Sequence, residues 1–501
     1  MARSDRSLGW LAVCLAWSSA LACSSANAPG GAMAPELGAS GSSTASAGAS
    51  GSGTQSAGTT GAGAAPSATA GSGANAGSAG EASAGSGPRG GSAGSGGGSV
   101  VAPGPLDKTA CQMGTGKVVH VTSSGSATGD GKSFASALDL PSAIAGAAAG
   151  DTILLQPGKY TIAYVEGAKN TLTLAQKGTE AARIRIMADA QGRAEIDFAF
   201  PEQAWVQDSF GFLVSGSYWS MCGVDVTRAG YQGVYVTGDH NTFENCTFHD
   251  NRNTGLEINK GGSNTTVINC DSYRNYDPKK MGGMADGFGP KETQGPGNRF
   301  VGCRAWENSD DGYDAYNSPQ TVIFEGCSAF RNGVDVWNYG GFAGNGNGFK
   351  VGGLSQQANH RLTQCTAFAN RVKGFDQNNN TGGLTLYNCT AYQNGTNFGL
   401  GGGLNPGQMH DLRNNVSFGA ANAISNAVQQ NNSWDLALTL TAADFKGLDV
   451  TQGSAPRSTD GSLPSVDFLR PAPGGQLVDK GVDVKLPFNG AAPDLGAFEA
   501  P

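Results

Sequence analysis

Five short segments of the chain share one pattern: Gly255-Leu256-Glu257, Gly287-Phe288-Gly289, Gly312-Tyr313-Asp314, Gly348-Phe349-Lys350 and Gly374-Phe375-Asp376. The second residue is always large and apolar and belongs inside. The third then faces outward, because successive side chains of an extended strand point to opposite faces. Asp314, Lys350 and Asp376 therefore fall on one outward line. Asp286 and Asp311 stand just before the Gly of their segments, and Asp310 lies beside Asp311. Four carboxylates, those of Asp286, Asp310, Asp311 and Asp314, thus converge with the amine of Lys350 on one face. Like charges this close raise one another's pKa and do not all stay ionised without a compensating cation. Ca2+ suits such a cluster because it accepts about six to eight oxygen ligands in flexible geometry, whereas Mg2+ keeps more of its water. The plainer alternative is that these Asp residues are ordinary turn formers and that Lys350 only pairs with Asp314 or Asp376.

Such a face needs a scaffold that repeats at a fixed step, and the cysteines supply it. From Cys222 through Cys246, Cys270, Cys303, Cys327, Cys365 and Cys389 the steps are 24, 24, 33, 24, 38 and 24. The last six are each followed five positions later by Asn: Asn251, Asn275, Asn308, Asn332, Asn370 and Asn394. Short apolar alternations precede the Cys and Gly-rich turns follow. A period near 24 without a helical pattern predicts an all-β chain wound as a parallel β-helix, one rung per repeat. Stacked Asn side chains can hydrogen-bond from rung to rung and satisfy turn amides. The Cys column reads as small core residues, with disulfides as the alternative open to an exported protein. The two long steps place their extra residues between Asn275 and Asp286 and between Asn332 and Asn347, where they would wall a cleft beside the charged face. The Ala-rich segment 142–149 is expected to form a short helical cap over the first rung, and Gly150 to Tyr160 the opening coil. From Trp434 the period is lost, and the remainder is expected to pack along the solenoid or close its far end.

The chain has 501 residues, of which 79 are Gly. Between residues 51 and 100, 43 of 50 are Gly, Ala, Ser or Thr, too little apolar surface to offset the entropy of ordering. Residues 1–22 read as an export signal, with Arg3 and Arg6 ahead of a short apolar run. Ala20-Leu21-Ala22-Cys23 resembles a bacterial lipobox, so Cys23 is the candidate lipidation site. Residues 23–105 then form a Gly/Ala/Ser-rich tether and 106–501 the folded domain. The expected location is outside the cell, on the surface or outer membrane of a bacterium, with the lipid anchor as the only membrane contact. A net charge of −8, with 32 Lys and Arg against 40 Asp and Glu, argues against nucleic acid as a partner. The five His show no ligand spacing, and the chain is expected to be monomeric.

At Ala285-Asp286-Gly287-Phe288, Asn308-Ser309-Asp310-Asp311-Gly312-Tyr313-Asp314, Asn347-Gly348-Phe349-Lys350 and Gly374-Phe375-Asp376 the sequence resembles the family-nine polysaccharide lyases, which are right-handed parallel β-helices. The likeness runs over about residues 115–500. It implies cleavage of an acidic polysaccharide, pectate, by β-elimination. It also implies that Asp286, Asp310, Asp311 and Asp314 bind catalytic Ca2+ and that Lys350 is the base. Lys291, Arg331, Lys373 and Asp376 are then candidates for contacts to the sugar chain, Arg through its bidentate fork. The continuation Gly289-Pro290-Lys291 departs from the family pattern. Two other readings fit the residues: a β-helix glycoside hydrolase using paired Asp, and a surface glycan-binding solenoid without turnover.

Overall fold

The computed structural model describes residues 110–190 and 192–500. The segments read as export signal and tether, with Cys23, lie outside the described residues. What is described is a parallel β-helix of three sheets. The first has 12 strands, from Val118–Val121 to Ala427–Gln430; the second and third have 10 each, from Gly158–Thr161 to Val416–Phe418 and from Leu172–Leu174 to Ala423–Ile424. Ten coils give one strand to each sheet, the first sheet has one further strand at each end, and the pairings between coils are parallel. The strands are mostly three residues long, so the fold draws its strength from stacking between coils and little from any one strand.

The predicted register holds at the third sheet. Leu256 pairs with Phe288, Phe288 with Tyr313, Tyr313 with Phe349 and Phe349 with Phe375. All five are buried, and the rings from Phe288 to Phe375 stack with centroids 5.2, 4.5 and 5.2 Å apart. With the second residue fixed inside, the third is fixed outside: Glu257 is in register with Gly289, Asp314 with Lys350, and Lys350 with Asp376.

The Asn column forms as expected. The side-chain amide of each Asn donates to the side-chain oxygen of the next, from Asn251 through Asn275, Asn308, Asn332 and Asn370 to Asn394, at 2.8–3.1 Å. Each oxygen also accepts the backbone N–H of the preceding Asn. The turn between second and third sheets thereby meets its buried polar groups from inside. The Cys column does the same at the turn between first and second sheets: the thiols of Cys246 and Cys303 face the carbonyls of Met221 and Val267 at 3.4 and 3.3 Å. The six from Cys246 to Cys389 are buried and free.

Cys222 does not belong to that column. It ends a strand of the first sheet in register with Glu244 and forms a disulfide with Cys111. The coil there is 22 residues long, as the bond from Trp219 to Asn241 shows, so a spacing of 24 steps past the ladder position. Two of the five His also have architectural work: the Nδ1 atoms of His360 and His410 accept the backbone N–H of Val322 and Leu384, each at 3.1 Å, and burial lowers both rings to a pKa of about 4.

The helical cap is Leu140–Ala145, shifted toward the N-terminus from 142–149, with Asp139 accepting the Ser142 N–H at its start. Leu140, Ala143 and Ile144 join the main core. The segment after Trp434 packs along the solenoid: Phe445, Phe468, Leu477 and Leu495 cover Phe330, Phe368 and Tyr392 on the outside of the second sheet.

Replacing Asn370 by Ala removes the acceptor for the Asn332 amides and the donor to Ala329 and Asn394. Leaving those buried groups unpaired is expected to cost about 2–4 kcal/mol, read as a lower midpoint in urea unfolding. An unchanged midpoint would show that the ladder adds nothing to stability.

Candidate active site

The charged face is built on three consecutive coils of the third sheet. Asp286 and Asp311 sit at the turn just before their strands, Asp314 on the strand Tyr313–Asp314, and Lys350 on the strand Phe349–Lys350. Asp286, Asp311 and Asp314 each offer one carboxylate oxygen within 4.8 Å of the others, and all three are buried. Among the described residues this is the one such group of three.

Each carboxylate is held by neighbours. Asp286 accepts from the Thr254 hydroxyl at 3.1 Å and the Asp311 N–H at 3.2 Å. Asp311 takes both the backbone and side-chain amides of Asn347 on one oxygen, at 2.7 and 2.9 Å. Asp310 stands next to the group of three and outside it. Its two oxygens accept the backbone N–H groups of Met284 and Asn345, each at 2.7 Å. Those two residues come from the two insertions, so one carboxylate ties both loops to the site. The loops also meet each other: the Ala343 N–H donates to Met281 at 2.8 Å, and Trp337 and Tyr339 pack on Tyr276.

Two ammonium groups face the four carboxylates. Lys350 Nζ lies 3.0 Å from Asp311 Oδ2 and 3.4 Å from Asp314 Oδ1. Neither of those oxygens receives an aligned hydrogen bond among the described residues. The amine also sits 5.4 Å from the Tyr316 ring centre. Lys291 Nζ is 2.7 Å from Asp286 Oδ2 and 3.5 Å from Asp314 Oδ2, with its side chain 7 % exposed. The charges do not cancel. Burial, followed by the neighbouring carboxylates, raises Asp310 to about 6 and Asp311 to about 7. Asp314 also rises to about 7, through burial and the Asp286 charge, against the pull of Lys350. Burial opposes the charge on both lysines, but the carboxylates outweigh it and hold both ammonium pKa values up.

The remaining predicted residues divide. Lys373 and Asp376 pair with each other at 2.8 Å one rung beyond Lys350. Arg331 does not join the cluster; its Nε meets Glu307 at 3.0 Å. Lys350 makes its ion pairs with Asp311 and Asp314, and Asp376 takes Lys373. Sequence reasoning passed over Asn347 and Tyr316. Asn347 precedes Gly348 as Asp286 and Asp311 precede their glycines, and Tyr316 follows Asp314 by two, so both were readable from the same register. A cavity of about 490 Å3 beside the Cys111–Cys222 disulfide contains none of these residues.

Comparison with known proteins bears on the fold and the family. Residues 119–431 match the family model described as "Pel9A-like, right handed beta helix region". Pectate lyase L of Dickeya dadantii (strain 3937) is 52 % identical over 402 residues, covering 80 % of this chain and 95 % of that protein. Pectate lyase L of Paenibacillus polymyxa (strain SC2) is 32 % identical over 372 residues, covering 68 % and 79 %. The crystal structure of pectate lyase Pel9A superposes with a TM-score of 0.77 at 52 % identity, covering 78 % of this chain and 98 % of that one. By fold, register and sequence, the chain belongs to the Pel9A-like right-handed β-helix family.

Proposed function

We propose that this protein is a calcium-dependent pectate lyase that cleaves polygalacturonate by β-elimination. The observation that carries the reading is the set of buried carboxylate oxygens on Asp311 and Asp314 that lack an aligned hydrogen bond and lie beside the Lys350 amine. Oxygens of this kind suit a hard, oxygen-seeking cation. Asp286, Asp311 and Asp314 would hold it, with Asp310 alongside. Bound Ca2+ would supply positive charge to the sugar carboxylate, where negative charge builds as the C5 proton leaves.

The chain's own groups perform the proton transfer. With the carboxylates unneutralised, Lys350 keeps its proton; once their charge is answered, the amine becomes available as a base. Lys350 then takes the proton from C5, alpha to the carboxylate. The electron pair of that C–H bond forms the C4–C5 double bond, the C4–O bond breaks with its electrons going to the departing oxygen, and that oxygen takes a proton from water. Tyr316 under the amine and the Asp311 and Asp314 oxygens beside it fix its position. Lys291, Lys373 and Asp376 contribute polar contacts to the sugar chain on neighbouring rungs. Arg331, held by Glu307, would serve an outlying contact. The reading includes export and a lipid at Cys23, with residues 23–105 as the tether.

Mixing the protein with polygalacturonate and Ca2+ is expected to raise ultraviolet absorbance from the unsaturated product, more steeply at alkaline pH. Lys350→Ala should lower the rate by about 10^2 to 10^4, the range for a general base, and EDTA should abolish the signal. Hydrolysis would give reducing ends without absorbance, and a signal that survives either treatment refutes the mechanism.

Stability gives a second check that does not depend on turnover. A carboxyl raised in the folded state binds its proton more tightly there than in the unfolded chain. The metal-free fold should therefore lose stability as pH rises from about 4 to about 7, by a few kcal/mol at about 1.4 kcal/mol per unit. In EDTA the unfolding temperature should fall across that window, and saturating Ca2+ should remove the fall. Identical curves with and without Ca2+ would count against cation binding by these acids. For the anchor, Cys23→Ser should move the protein from the membrane fraction to the medium; unchanged partitioning would exclude lipid at Cys23.

A further inference from the structure

A second cavity, of about 180 Å3, opens on the N-terminal side of the carboxylates. It lies on the same outward line of the third sheet: Glu257 on its wall is in register with Gly289, the rung before Asp314, and Tyr235 is in register with Glu257. Three rungs separate Glu257 from Lys350, roughly 14 Å at about 4.8 Å per rung. A polymer lying along this line would place a sugar beyond the reacting one in this cavity.

The lining combines a flat apolar surface with buried polar groups. Phe210 stacks on Tyr235 with ring centres 4.5 Å apart and planes 7° from parallel, and Tyr231 stands beside them. Gln232 and Glu257 are each 4 % exposed. The Gln232 amide donates to Glu257 Oε2 at 2.9 Å, which leaves its own Oε1 with no partner among the described residues. Asn259 donates to the other oxygen of Glu257 at 2.9 Å and to Glu292 at 3.0 Å. Aromatic faces matched with a carboxylate and a spare amide acceptor are what a sugar ring needs: C–H groups against the rings and hydroxyls donating to the oxygens.

The charge balance decides which sugar. Three carboxylates, those of Asp208, Glu257 and Glu292, line the cavity against the two ammonium groups of Lys260 and Lys291, and Glu257 is hydrogen-bonded by two neutral amides. Lys291, which also lines the cavity, has its Nζ 2.7 Å from Asp286. Lys260 lies over the Tyr235 ring, 5.6 Å from its centre. A free uronate carboxylate placed here would meet like charge in a sheltered site, where such repulsion is costly.

We infer that this cavity is a distal sugar subsite selecting a glycosyl residue without a free carboxylate, either a methyl-esterified uronate or a neutral sugar. The inference rests on the lyase reading and refines its substrate class.

The test maps products by mass spectrometry after the full-length protein, with Ca2+, cleaves a partially and randomly methyl-esterified polygalacturonate. Methyl esters should be enriched several-fold at one fixed position, beyond the residues flanking the cleaved bond, and Glu257→Gln should erase the enrichment. A uronate polymer whose alternate residues are neutral forms the other arm. A several-fold gain in kcat/KM over polygalacturonate on that polymer, again lost in Glu257→Gln, would identify neutral sugar as the source. Random or depleted esters at every position, with no gain on the alternating polymer, overturn the inference while leaving cleavage of polygalacturonate intact. Selectivity unchanged in Glu257→Gln overturns it as well. No unsaturated product from any of the polymers would sink the lyase reading and this one with it. The wild-type map needs no variant, so a misfolded Glu257→Gln protein does not shield the claim.

Discussion

The constraint on which this molecule depends is in-register parallel stacking. A β-helix built from strands of three residues has almost no local stability. Each coil is specified by the one before it, through backbone ladders outside and side-chain ladders inside. The Asn column from Asn251 to Asn394 matters because a sharp turn between two sheets leaves amides and carbonyls facing a core without water. An identical Asn at every rung answers them with the next rung's carboxamide. The aromatic stack from Phe288 to Phe375 adds shape to that order. Once those two columns are fixed inside, the outward residues have no freedom of register left.

That rigidity explains how the fold tolerates a site that works against its stability. Asp310, Asp311 and Asp314 are buried together, and their pKa values near 6 and 7 record the cost. A softer scaffold would relieve the repulsion by turning the side chains to water. Here Asp311 is fixed by two amides of Asn347, and Asp310 by one backbone N–H from each insertion. The scaffold holds the acids in place, and two lysines supply part of the missing positive charge. A deficit kept in fixed geometry is the preorganisation a cation site requires.

Periodicity made most of this legible from the residues. The Gly-apolar-X segments gave the third sheet its register and brought Asp286, Asp311, Asp314 and Lys350 to one face, and the repeated Asn gave the inner ladder. The misses have a common physical origin. Cys222 lies 24 residues before Cys246 although the coil there has 22, so a correct period was read across a position where coil length changes. The disulfide to Cys111 joins a residue outside the repeat, and no period could reveal it. Lys291 was placed near the face, but the sequence could not show its amine reaching Asp286, because that depends on a side-chain path. Arg331 lies apart from the acid cluster. It directly follows the second-sheet strand Ser328–Phe330, one rung from Glu307 after Arg304–Trp306, so its position on the coil brings it to Glu307.

The two insertions show how a repeating scaffold acquires a particular site. An ordinary coil offers the same turn at every rung, so a charged residue on it would meet only copies of its surroundings. Lengthening two coils, on either side of the one carrying Asp310, Asp311 and Asp314, breaks that symmetry at one place. The extra segments meet through Trp337, Tyr339 and Tyr276 and return the N–H groups of Met284 and Asn345 to a single carboxylate. The acids and Lys350 are therefore positioned by the regular part of the fold and enclosed by its irregular part. Distance along the chain, 64 residues from Asp286 to Lys350, becomes adjacency because two strand-to-strand steps separate the Asp286 coil from the Lys350 strand.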